Sequence, residues 1–359
     1  MARDVSKLRG CLLGLAVGDA MGYSVDKMNW EEICQNYGPN GLLGYDLANG
    51  AADGTSYTQL AAFLCNGLLL GLTRGKEGSY HRYIAMAAQE WAKSQQFRAA
   101  PEKTHCWVAQ VPAMRRRHCM DTRMLDALTR QVLGTPEKPV LHSTTPGALT
   151  TGIAVGLCYD PEKMSPHQLG ALGAGASALT HGDPEAFLCG AYLAYVIAAI
   201  LQEPELPLPE HFQQAMDIVK EQFAQYPQVE ILERKIRKAL SLTKDPELTP
   251  LAAMTLLECV DASDCLAGAV FAATVHCFNF DEAMIASVNH SGRSAAVGAV
   301  TGAILGAKLG AEALPQFYLE SLETAEVLDE LAKDLAECRQ ASRIFDDSWD
   351  QKYVQGLPV

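Results

Sequence analysis

Ser287-Val288-Asn289-His290-Ser291-Gly292-Arg293-Ser294-Ala295-Ala296-Val297-Gly298-Ala299-Val300-Thr301-Gly302-Ala303-Ile304-Leu305-Gly306-Ala307 is the stretch whose reading decides the fold. A short polar segment opens it, and a run of small and apolar residues closes it. Upstream, residues 266–275 form an amphipathic segment. A polar loop between two apolar segments predicts a site on the rim of a helical core. Gly298, Gly302 and Gly306 recur every fourth residue, so on a helix they share one face and let a second backbone come close. The same pattern equally describes a tightly packed buried helix without chemistry.

Residues 7–20 repeat the device, with Gly10, Gly14 and Gly18 on one face of an apolar helix. Composition agrees with closely packed helices: 48% of the 359 residues are hydrophobic, 29 are Gly, and aromatics are few. A chain this long buries a substantial core. The net charge of -13 argues against a nucleic-acid partner, whose phosphates need a basic surface, and against an anionic membrane surface. Eleven cysteines lie scattered with no Cys-x-x-Cys pair, which predicts reduced thiols in a reducing compartment. The N-terminal residues carry no apolar signal core, and the long apolar run at 186–201 reads as a buried central helix. A soluble cytoplasmic protein is expected.

Along the chain, residues 38–54 read as loop, and Thr55-Ser56-Tyr57-Thr58-Gln59 opens a helix through residue 72 behind a Ser/Thr cap. Helix is expected at 79–92, irregular chain at 101–117 and loop at 136–151. Further helices are expected at 165–179, 211–226 and 228–242, from residue 261 onward, and at 319–345. Asp183-Pro184 fits a helix cap and first turn before the long apolar helix. Asp19, near the end of the first helix, reads as a group that ties down backbone N–H groups. Arg115-Arg116-Arg117-His118 is a basic cluster that either forms a solvated face or receives an anion. No tandem repeat or long linker divides the chain, so one all-α domain over residues 1–359 is expected.

Four motifs in order resemble the ADP-ribosylglycohydrolase family. They are Gly18-Asp19-Ala20-Met21-Gly22 with Asp26, Thr55-Ser56-Tyr57-Thr58-Gln59, Thr180-His181-Gly182-Asp183-Pro184, and Asn289-His290-Ser291-Gly292 with the glycine run after it. The resemblance implies a compact all-helical enzyme that removes ADP-ribose from protein side chains at a two-metal site, usually magnesium. It also implies where the ligands should be. The family's paired aspartates at the helix start fall on Ser56 and Tyr57, and those of the C-terminal signature fall on Arg293 and Ala295. Its metal-binding hydroxyl falls on Ala296, its substrate-side glutamate on Asp26, and the proline before that on Ser24. The Gly-rich segment at 143–152 keeps Gly147 but has no basic residue after it.

Two divalent cations need carboxylates to offset their charge and set hard-oxygen geometry. An arginine among them repels the cations by about 4 kcal/mol per unit charge pair at about 4 Å for an effective dielectric near 20. The expectation is therefore no metal and no family-type catalysis. Arg293 could hold an anionic ligand instead, such as ADP-ribose, since a guanidinium is a fork of donors for phosphate or carboxylate; equally, the site is lost and the arginine pairs with a nearby acid. The expected binding residues are Thr55, Ser56, Tyr57, Thr58, Asn289, His290, Ser291, Gly292 and Arg293. Two alternatives stay open. One is a metal-independent hydrolase with Asp26, Asp183 or His290 as acid or base; the other is a structural or partner-binding module.

Overall fold

Small residues at every fourth position let two helices touch backbone to backbone, and that contact is the centre of this molecule. The computed structural model describes residues 3–47, 50–96, 102–118, 121–130, 132–338 and 347–355. Helix α1 (Val5–Tyr23) and helix α14 (Ser294–Leu309) run antiparallel. A Cβ added to Gly14 would come 2.2 Å from the carbonyl oxygen of Gly302, and one on Gly18 would come 1.9 Å from that of Gly298. Neither separation is possible for real atoms, so glycine is obligatory along the seam. Glycine in a helix interior costs about 0.5–1 kcal/mol against alanine. The close packing of two fully buried faces outweighs that cost.

The remaining helices wrap this pair. In chain order they are α2 (Trp30–Tyr37), α3 (Ser56–Thr73), α4 (Tyr80–Ser94) and α5 (Thr122–Leu128), then α6 (Leu149–Leu157), α7 (Pro166–Ala178) and α8 (Pro184–Gln202). After these come α9 (Leu208–Gln222), α10 (Gln228–Leu242), α11 (Pro250–Leu257), α12 (Ala262–Val275) and α13 (Phe280–Val288). Beyond α14 lie α15 (Gln316–Ser321), α16 (Ala325–Glu337) and a last turn, α17 (Asp347–Trp349). Among the described residues there is no β-strand, only an isolated bridge between Ala52 and Leu322.

Helix α8 is long and apolar enough to cross a membrane by length and composition, and 78% of that stretch is buried in the helical core. It packs on α6 and α7 through glycines: a Cβ on Gly152 would meet the Gly190 carbonyl oxygen at 2.2 Å. A half-buried ion cluster ties α8 to α10 and α12. Lys235 Nζ reaches Glu185 Oε1 at 2.7 Å, Asp264 Oδ1 at 2.8 Å and the Ser263 hydroxyl at 2.7 Å. These contacts hold the Glu185 carboxyl below its usual value against the opposing effect of burial.

Two expectations differ from the structure. The expected loop at 136–151 is helical from Leu149, because Pro146 starts a 3-10 turn that runs into an apolar helix. The expected helix at 319–345 is broken: Leu322 turns extended to pair with Ala52, and Cys338 in the left-handed region closes α16. Residues 339–345 of that expectation lie outside the described residues. Helices α2 and α13 have no counterpart among the helices expected from the sequence. Helix α2 is amphipathic but short, and α13 lies close enough to the signature loop to read as part of it.

Candidate functional site

The α1–α14 seam brings the end of α1 onto the start of α14, and this fixes the first half of the site. Asp26, just past α1, accepts the Ala295 N–H on Oδ1 at 2.9 Å, so a carboxylate caps the N-terminus of α14. Its Oδ2 is buried without a hydrogen bond, 3.8 Å from Nη1 of Arg293. Burial raises the Asp26 carboxyl above its usual range, while the Ala295 N–H, Arg293 and Lys27 pull it down less strongly. Arg293 is the N-cap residue of α14, and its side chain is 41% exposed. Its guanidinium donates no hydrogen bond to the described residues, so the fork of donors remains open beside Asp26.

The second half is the N-terminus of α3. Asp19, wholly buried inside α1, accepts the Thr55 N–H at 2.7 Å and the Thr58 N–H at 3.1 Å. It also accepts both threonine hydroxyls, at 2.7 and 2.6 Å. The expected role of Asp19 is thus met across the fold, at the start of a different helix. Burial nevertheless lifts the Asp19 carboxyl to about 6. Thr55 caps α3 with its hydroxyl on the Tyr57 N–H at 3.3 Å, and the Ser56 N–H reaches the His118 carbonyl at 3.0 Å. The Ser/Thr cap read from the sequence is present.

These two halves meet at Tyr57. Burial is the main cause of its raised phenol pKa, and Asp26, Cys265, Asp19 and Arg293 all act on it electrostatically. Tyr57 is only 3% exposed, so its ring is packed into the core and offers no stacking face to a ligand.

Most of the signature loop is spent on its own architecture. Asn289 clamps Leu42, accepting its N–H at 2.8 Å and donating to its carbonyl at 2.9 Å, with a further bond to Ile285 O at 2.8 Å. His290 pairs Nε2 with Ser287 O at 3.0 Å and accepts the Gly292 N–H on Nδ1 at 3.0 Å. Burial drives that imidazole down to about 4, so it is neutral with both nitrogens engaged. An acid–base role for His290 has no free nitrogen to work with. The Ser291 hydroxyl accepts the Trp30 N–H at 2.9 Å, which positions α2. A Cβ on Gly292 would stand 2.5 Å from Cys259 O, so only glycine fits against that turn.

Asp183, the other acid–base candidate, caps α8 by accepting the Glu185 N–H at 2.9 Å. Its neighbour His181 is buried, bonded to Thr145 Oγ1 at 3.0 Å and Thr180 Oγ1 at 2.8 Å, and lowered to about 4 by burial. Gly147 lies against this imidazole, where a Cβ would sit 2.9 Å from Nε2. The motif at 180–184 thus joins the 143–147 loop to α8 as a structural unit. In the basic cluster, Arg116 pairs with Asp53 and Glu323, Arg117 donates to Gln96 O, and His118 stacks on Tyr23 at 5.2 Å. That cluster pins the strand-like 50–54 segment to the body.

At the implied metal positions the side chains are a serine, a phenol, a guanidinium and two methyl groups. Among the described residues, no group of three or more His, Cys, Asp or Glu side chains is arranged to hold a metal ion. The sequence reading missed Glu258 and Cys259, whose positive φ angles no motif announces, and Cys265 beside Tyr57.

An all-helical body with this seam, this Asp19-capped helix and this signature loop defines an ADP-ribosylglycohydrolase-type fold. The chain belongs to the ADP-ribosylglycohydrolase family, whose model matches residues 1–344. A solved "ADP-ribosylglycohydrolase-related protein complex" shares the fold at a TM-score of 0.60 and 21% identity, over 93% of this chain and 98% of that one. No curated protein matches the chain.

Proposed function

We propose that this chain is a family member without the two-metal centre, forming one domain over residues 1–359, that binds an anionic ligand such as ADP-ribose without hydrolysing it. The observation that carries the reading is the Arg293 guanidinium, half-exposed, 3.8 Å from Asp26 and with its hydrogen-bond donors unspent on the described residues. Serine, tyrosine, arginine and alanine side chains do not fit a dinuclear magnesium site: they supply no carboxylate, and the arginine repels the ions. Asp26 holds the guanidinium at the head of α14, where its charge adds to the positive end of the helix dipole. A phosphate there would accept a charged, forked pair of hydrogen bonds. A reducing cytoplasmic setting fits the ten free cysteines among the described residues.

Calorimetric titration with ADP-ribose tests the binding, and Arg293→Ala should weaken it by about 1.5–3 kcal/mol. Incubation with ADP-ribosyl-arginine and ADP-ribosyl-serine substrates, with and without magnesium, should release no ADP-ribose. Turnover would overturn the non-hydrolysing half of the reading. A second reading, a structural or partner-binding module, draws support from the internal hydrogen bonds of Asn289, His290 and Ser291. Absence of ADP-ribose binding to the wild-type chain would favour it.

A further inference from the structure

Helix α11 ends without the glycine that usually closes a helix. Glu258, its C-cap residue, sits at φ 65° and ψ -42°, and Cys259 follows at φ 55°. The Cys259 N–H closes back on Leu257 O at 2.7 Å, two residues earlier. This is a γ-turn of the positive-φ kind, which is rare and strained for a side-chain-bearing residue. Two such residues in succession persist only where the surroundings over-determine them.

The surroundings are specific. Cys259 is wholly buried, and its Sγ fills a notch opposite Gly268, where a Cβ would stand 2.8 Å away. The same Sγ lies 3.7 Å from Met254 Sδ and 3.8 Å from Met254 O. On the other side, the Cys259 carbonyl accepts the Arg293 N–H at 2.8 Å, and its backbone presses on Gly292. The Glu258 side chain is exposed and carries none of these contacts. The strain is thus spent on one outcome, a carbonyl placed against the amide of Arg293.

We infer that the Leu257–Cys259 turn is a positioning element that sets the backbone of Arg293, and through it the guanidinium's reach toward an anionic ligand. This rests on the ligand-binding reading above. Glu258 controls the turn by backbone conformation alone. A β-branched residue resists positive φ and should open the turn, whereas glycine adopts it freely.

The experiment compares the wild-type chain with Glu258→Val and Glu258→Gly, reading amide hydrogen exchange at Arg293, the Kd for ADP-ribose and Tm. In Glu258→Val, exchange at Arg293 should quicken on the order of tenfold and Kd should rise by a similar factor. Exchange at Gly302, deep in α14, should not change. In Glu258→Gly, Arg293 should be at least as protected as in the wild type, and Kd equal or lower. Equal exchange at Arg293 in all three proteins overturns the inference, whatever the ligand does. Faster exchange in Glu258→Val with an unchanged, measurable Kd overturns it too, because a merely structural turn moves Tm without moving affinity. Faster exchange in a protein whose wild type binds no ADP-ribose leaves the positioning intact and refutes the ligand-binding reading instead.

Discussion

Nη1 of Arg293 lies 3.8 Å from Oδ2 of Asp26, across the junction where α1 ends and α14 begins. Arg293 stands where the family resemblance implies a metal-binding aspartate, and Asp26 where it implies a substrate-side glutamate, so a cationic side chain and a carboxylate face each other there. Asp26 is almost wholly buried and Arg293 half-exposed, so the pair presents its positive member outward.

Magnesium or manganese titrated to millimolar concentration should give no specific heat of binding. The five changes Ser56→Asp, Tyr57→Asp, Arg293→Asp, Ala295→Asp and Ala296→Thr together should create magnesium binding if the scaffold is otherwise conserved in shape. Wild-type binding of two metals in calorimetry, or two coordinated ions in a crystal structure, would refute the argument from donor chemistry.

Acid should destabilise the fold through its buried histidines. His181 and His290 both fall to about 4 in the folded chain, from an ordinary value of 6.5. Each therefore contributes stability that is complete above pH 6.5 and lost as pH falls through 4, on the order of 3 kcal/mol apiece. Asp19 runs the other way: raised to about 6 from 3.8, it favours the fold at low pH and loses that contribution as pH rises through 6. Urea unfolding at about pH 7 and about pH 4.5 measures the difference. His290→Gln should lose less stability between those two pH values than the wild type; an equal loss would contradict the assignment.

The α1–α14 seam should not tolerate a methyl group. Gly302→Ala places a Cβ 1.9 Å from Gly14 O, and the helices must separate, at a cost of about 3 kcal/mol. Gly175→Ala is the control, since a Cβ there meets nothing within 4 Å. It should be neutral or stabilise by up to about 1 kcal/mol. Thermal unfolding of the two variants separates a packing requirement from a general sensitivity to glycine replacement.

Asn289→Ala should destabilise by about 2–3 kcal/mol, because it strands the buried Leu42 N–H and carbonyl. Ser291→Ala removes one exposed acceptor from the Trp30 N–H and should cost under about 1 kcal/mol. If the order were reversed in denaturant unfolding, the loop's architecture would rest on Ser291 and α2 instead.

The sequence by itself determined the helical class, the glycine faces of α1 and α14, the cap at Thr55 and the motifs that carry the family, while the structure made those two faces each other's partners. These sequence signals are local or periodic: a four-residue glycine repeat and a Ser/Thr cap state their geometry within one helix. Tertiary structure alone decided what each polar group does. Asp19 binds a helix 36 residues away, Asp26 caps one 269 residues away, and Asn289 closes on Leu42 across 247 residues. No window of sequence contains both partners of such a bond. The same holds for the break at Leu322, which pairs with Ala52, and for the strained turn at Glu258. Its positive φ is imposed by what packs around Cys259, against the preference of the residues themselves.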